Sequence, residues 1–149
     1  MIFVDTSAWF SRYVPKDPNH AAAKWFDDQA HDEFVTSDYV IDELLTLLKA
    51  RGNVERAVEV GNALFAGEIA QVEWVSKADV EQAWEIFDKY RDKDWSFTDC
   101  VSLVMMQRLR ITKAFAFDQH FRQFGTVTSA RKAYCRASSD PFRVPSKHL

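Results

Sequence analysis

The sequence predicts an α/β fold: a parallel sheet of four or five short strands with helices on both faces. Three observations carry that expectation. Short apolar runs alternate with stretches of helical periodicity along the chain. The 149 residues are 47% hydrophobic and 14% aromatic, enough for one buried core and typical of one domain. Glycine and proline are scarce, four of each, and fall mostly between those stretches.

The chain begins "MIFVDTSAWF". Ile2, Phe3 and Val4 favour a strand over about 2–5, and a short helix follows near 6–14 until Pro15 breaks it. Asp17 and Pro18 suit the start of a second helix over about 18–30. "EFVTS" reads as a strand at 33–36. Ser37 or Asp38 opens the helix "DYVIDELLTLLKAR", which stops at Gly52. A fourth helix covers about 53–66 and ends at Gly67. "AQVEWVS" supplies a strand at 71–75.

Ser76 with Asp79, and Ser96 with Asp99, have capping-box spacing for two further helices. The second of these, "FTDCVSLVMMQRLR", is apolar almost all round, as a buried helix is. "AFAF" at 114–117 is a fourth strand, and Val127–Thr128 a short fifth. The segment 130–149, with two prolines near its end, is expected to be an irregular tail of the same single domain.

The net charge of −3 conceals an asymmetry. Residues 1–106 carry 10 Lys/Arg against 20 Asp/Glu, whereas residues 107–149 carry 9 against 2. Such a split fits a polyanion partner or simply a solvated basic tail. Cys100 and Cys135 form neither a disulfide framework nor a zinc pattern. No apolar run approaches the ~20 residues of a membrane span, and no secretory signal pattern is visible, so no membrane and a cytoplasmic location are expected. His20, His31, His120 and His148 form no spaced pair.

Four acids stand out by position. Parallel sheets bind ligands beyond the carboxyl ends of their strands. Asp5 and Asp118 terminate the first and fourth strands. Glu43 borders the buried face formed by Val40, Ile41, Leu44, Leu45 and Leu48. Asp99 lies in the first turn of the apolar helix. Taken singly, each has an ordinary explanation as a cap or a border residue. Together, four converging carboxylates would raise one another's pKa values unless a cation neutralised them. A hard divalent ion, Mg²⁺ or Mn²⁺, takes such oxygen ligands. The chemistry that suits this set is phosphodiester hydrolysis by activated water.

"FVDTSAWF", "VIDELLT", "WSFTDCVSLVMM" and "AFAFDQHFRQFG" occur in this order over about residues 1–128. The ordered set resembles the PIN-domain ribonucleases, and most of all the VapC-type toxins of toxin–antitoxin pairs. The resemblance implies a PIN-like sheet and a metal-dependent endoribonuclease acting on RNA. It carries the acidic quartet onto Asp5, Glu43, Asp99 and Asp118 as catalytic metal ligands. Thr6, Ser7 and Thr98 match small polar residues that support the acids, and Asp94 lies nearby in sequence.

The resemblance also implies a cognate antitoxin protein and a homodimer. Trp9, Phe10, Tyr13, Trp25 and Phe26 could supply an interface, or could pack on the sheet. Arg12, Lys16, Arg122, Arg131, Lys132 and Arg136 are candidates for RNA phosphates, and are equally explained by solubility.

Rival readings are weaker. A haloacid-dehalogenase-type phosphatase needs an Asp two residues after the first, where Ser7 stands. A receiver domain needs an Asp after the third strand, which here ends "EWVS". A catalytically silent PIN-like binding module has no reason to collect acids that repel RNA, and a housekeeping RNA-processing nuclease remains the alternative within the same chemistry.

Overall fold

The computed structural model describes residues 1–119, Phe121 and the backbone of 135–136. The elements run β1 (Ile2–Val4), α1 (Thr6–Tyr13), α2 (His20–Gln29), β2 (Phe34–Ser37), α3 (Asp38–Ala50), α4 (Val54–Phe65), β3 (Gln71–Glu73), α5 (Lys77–Lys89), α6 (Phe97–Arg108), β4 (Lys113–Phe115) and β5 (Cys135–Arg136).

The strand order is β3-β2-β1-β4-β5. β1 pairs in parallel with β2 and with β4, and β2 in parallel with β3. The expected α/β fold is therefore present. From β1 the chain steps outward through β2 to β3, then crosses back to place β4 on the other side of β1. Right-handed crossovers in two directions put helices on both faces of a sheet. The reversal makes the carboxyl ends of β1 and β4 the switch point, the place where open α/β sheets bind ligands.

β5 pairs antiparallel with β4, through Lys113↔Arg136 and Ala114↔Cys135. The tail was expected to be irregular throughout, yet these two residues close one edge. An antiparallel edge strand on an otherwise parallel sheet needs no crossover and is common. The strand expected at Val127–Thr128 lies outside the described residues.

β1 is fully buried, as a central parallel strand must be: Ile2, Phe3 and Val4 are all within the core. α6 is the helical counterpart. Every residue from Asp99 to Met106 is buried, and the helix packs against both α3 and α5. Its Ser96 cap and Asp99 complete a capping box, as do Ser76 and Asp79 at α5. Helix α3 starts from Ser37, whose hydroxyl accepts the Val40 N–H. Past its end, Gly52 takes a φ of +76°, the left-handed turn that a side chain would oppose.

Boundaries differ from expectation where no local signal fixes them. α2 starts at His20, later than Asp17–Pro18 suggested, because the Asp17 carboxylate accepts the Asn19 N–H in a preceding turn instead of capping the helix. The aromatic residues of α1 and α2 divide. Trp9 and Phe26 are core, Phe10 and Tyr13 are half-buried, and only Trp25 is well exposed.

α5 and α6 are also tied by charge. Asp79 is buried and accepts from Arg108 Nε at 3.0 Å as well as from Ser76. Burial pushes the Asp79 carboxyl up, but the Ser76 bonds and the Arg108 charge outweigh it and hold it below its ordinary value.

Candidate active site

Asp5 sits directly after β1, with its N–H donating to the Phe115 carbonyl of β4 at 3.0 Å. It is also the N-cap of α1. Its Oδ2 accepts the Ser7 N–H at 3.1 Å and the Ser7 hydroxyl at 2.8 Å. The same Ser7 oxygen accepts the N–H groups of Phe117 and Asp118, at 2.9 and 3.2 Å. A hydroxyl has one donor and two lone pairs, and Ser7 uses all three. This one side chain ties the end of β1 to the segment after β4 that carries Asp118.

Asp5 is only 3% exposed. Burial pushes its carboxyl up to about 7, and the neighbouring negative charges of Asp99 and Glu43 push in the same direction, against the two Ser7 bonds. The charges of Asp99 on α6 and Glu43 on α3 are thus felt at Asp5. Glu43 is half-buried on α3. Asp99 is 5% exposed, with Oδ2 accepting the Ser96 N–H at 2.9 Å. Asp118 is half-buried and follows β4.

Two of the four acids therefore do cap helices, as the ordinary explanation required, and they are nonetheless buried beside further negative charge. Capping and a functional role coexist, because a carboxylate has two oxygens and a cap needs one.

Among the described residues, no three His, Cys, Asp or Glu side chains are gathered closely enough to hold a metal ion. The donor chemistry still fits a hard divalent cation. All four candidates offer carboxylate oxygen, and Mg²⁺ keeps several waters while using only one or two protein carboxylates. A carboxyl raised by burial and by two like charges is also a place where a cation is favourable.

The sequence placed Thr6, Ser7 and Thr98 near the acids without separating their roles. Ser7 is the organiser. The Thr6 hydroxyl is buried with no hydrogen-bond partner among the described residues. Asp94 is exposed, and lines a separate cavity with Ser96. Cys100, next to Asp99, is buried; burial first and the Asp99 charge second push its thiol up to about 11, so it is inert. Of the basic candidates, Arg12 is committed to Asp27 at 2.6 Å and Lys16 is exposed. The side chains of Arg122, Arg131, Lys132 and Arg136 lie outside the described residues. No helix among the described residues is long and apolar enough to cross a membrane.

Comparison with known proteins identifies the family. The family model of the PIN domain matches residues 2–127. The chain is 35% identical over 127 residues to the 23S rRNA-specific endonuclease VapC20 of Mycobacterium tuberculosis, covering 85% of this chain and 96% of the relative. It is 30% identical over 133 residues to ribonuclease VapC26 of the same organism, covering 87% and 96% respectively. The crystal structure of M. tuberculosis VapC20, described as a sarcin–ricin loop cleaving toxin, superposes with a TM-score of 0.80 at 34% identity, over 85% of this chain and 97% of that one. The match spans β1 through the segment bearing Asp118, which is the whole of the candidate site. The chain belongs to the PIN-domain family, as an endoribonuclease of the VapC toxin type.

Proposed function

We propose that the chain cuts a structured RNA, of the ribosomal-loop class on which its VapC20 relative is named as acting, with Mg²⁺ (or Mn²⁺ in its place) held by Asp5, Glu43, Asp99 and Asp118. The observation that carries this reading is Asp5, a buried carboxyl raised to about 7 by desolvation and by the charges of Asp99 and Glu43. A structural cap gains nothing from such surroundings.

A bound divalent ion supplies Lewis-acid polarisation of a phosphoryl group and lowers the pKa of water. The protein's residues do the rest. Ser7 fixes the Asp5 carboxylate through Oδ2, which has both Ser7 bonds. The Ser96 N–H fixes one oxygen of Asp99. Ser7 also holds the backbone at Asp118, so that strand ends distant in sequence keep their register. With its carboxyl raised to about 7, Asp5 is partly protonated at neutral pH, and a bound cation would favour the carboxylate.

An antitoxin of the kind paired with VapC toxins, a homodimer and a cytoplasmic location complete the proposal, supported by the family. The test uses purified protein on a ribosomal stem–loop RNA, with Mg²⁺ or with EDTA, beside Asp99→Asn. Cutting is expected only for the unmodified protein with Mg²⁺. Equal cutting in all three conditions would remove the metal model. Growth arrest on expression, relieved by a co-expressed small partner, is expected of a toxin; unhindered growth would count against it.

A further inference from the structure

A cavity of about 390 Å³ opens between the end of α5, the 90–96 connection and the start of α6. It is separate from the acids but shares one residue with them. Ser96 lines it, and the same Ser96 donates its N–H to Asp99 Oδ2 and accepts the Asp99 N–H at 3.0 Å. Ser96 thus joins the cavity lining to Asp99.

Aromatic rings surround this position. Tyr90 and Trp95, with centroids 5.0 Å apart, line the cavity with Phe87, which is 39% exposed. Phe87 belongs to a continuous ring series. It stacks on Trp84 at 5.9 Å and is T-shaped with Phe97 at 5.9 Å, and Phe97 is T-shaped with Tyr39 at 6.1 Å. Tyr39 is about one helical turn before Glu43 on α3. Phe97 is two residues before Asp99. The rings thus run from the acid-bearing ends of α3 and α6 out to solvent at Trp84.

Arg91 and Lys93 line the same cavity. Arg91 pairs with Asp88 at largely exposed positions, where such pairs hold weakly, and the half-buried Lys93 pairs with the exposed Asp92. The volume falls within the range of about 300–1,000 Å³ for small-molecule sites. Aromatic faces beside cations are what single-stranded RNA uses, the bases stacking and the backbone meeting the charges. Cations beside rings suit a ligand that carries a phosphate next to a flat base.

We propose that this cavity receives one unstacked base of the RNA, stacked on Phe87, with an adjoining phosphate at Arg91 and Lys93. Asp94, on the same lip, accepts from an exocyclic amino group of that base. The proposal rests on the RNA-cleaving reading above. It adds that the enzyme selects its cutting site by extruding a loop nucleotide beside the scissile phosphate.

The test binds the protein, in EDTA so that nothing is cut, to stem–loop RNAs carrying 2-aminopurine at each loop position in turn. One position is expected to change its fluorescence on binding. Phe87→Ala should weaken affinity about tenfold, within the range for losing one base–aromatic stack, and abolish that signal. Phe87→Trp should restore both. Phe65→Ala, at an exposed ring outside the cavity, serves as the control and should change neither. Undiminished binding by Phe87→Ala overturns the proposal. So does a Phe87→Ala defect confined to self-association or antitoxin binding, which would assign the surface to a protein. Parallel reactions with Mg²⁺ test the cleavage reading separately: an unmodified protein that binds with the base signal but does not cut refutes cleavage and upholds the cavity. No RNA binding at all overturns both.

Discussion

Ser7 and Asp118 meet across 111 residues of chain, the Ser7 hydroxyl oxygen accepting the Asp118 N–H at 3.2 Å while its hydrogen goes to Asp5. Ser7→Ala leaves the Phe117 and Asp118 N–H groups without that acceptor. The expected cost is about 1–3 kcal/mol of stability in denaturant titration. RNA cutting should fall about 10- to 100-fold, the range for losing a group that orients a ligand. A Ser7→Ala protein as stable and as active as the original would show that this hydroxyl organises nothing.

Asp5→Asn separates charge from capping. Asn caps helices as well as Asp does, and its side-chain oxygen still accepts from Ser7. The folded pKa of Asp5 lies above the unfolded value, so the folded state binds the proton more tightly. In ion-free protein this group therefore favours folding at low pH. That contribution is lost as pH rises from about 4 to about 7, and the loss is complete above it. Removing the charge should make the protein more stable at pH 8, on the order of 2–4 kcal/mol, and flatten its stability profile over that interval. Cutting should drop by about 100-fold or more. A less stable Asp5→Asn at pH 8 would refute the electrostatic account of this site.

Mg²⁺ should raise the melting temperature at pH 8, because an ion that binds only the folded state stabilises it, by about 2.7 kcal/mol at a hundred times its Kd. Asp5→Asn should lose most of this response. Calorimetry with and without EDTA measures it, and identical shifts in the two proteins would place the ion elsewhere.

Ser96→Ala and Asp99→Asn test the two duties of Asp99. The first removes the cap hydroxyl and should cost about 1 kcal/mol, with cutting largely retained. The second keeps a cap-competent oxygen and should abolish cutting with the fold intact by circular dichroism. Unfolded Asp99→Asn would instead show that the fold itself depends on the charge of this carboxylate.

What the sequence disclosed was whatever depends on near neighbours. Both capping boxes, the buried strand Ile2–Val4 and the all-round burial of α6 follow from spacings of a few residues, and all are present. The acids were conspicuous because each ended a strand or bordered a buried helix face. Ser7 could be seen only as a small polar neighbour, since its role depends on a segment 110 residues away. The start of α2 was misjudged because Asp17 and Pro18 suit a turn as well as a helix. The aromatic series from Tyr39 to Trp84 draws on three helices, and no spacing within any one of them reveals it.

The pairing of β1 with β4, through Phe3↔Ala114 and Val4↔Phe115, has a consequence for biosynthesis. Translation delivers β1 first and β4 only after more than a hundred further residues. Until that late strand has left the exit tunnel, the Ser7 clasp has nothing to hold and the nuclease is incomplete. A ribosome making this protein thus finishes most of its work before the product can attack any RNA.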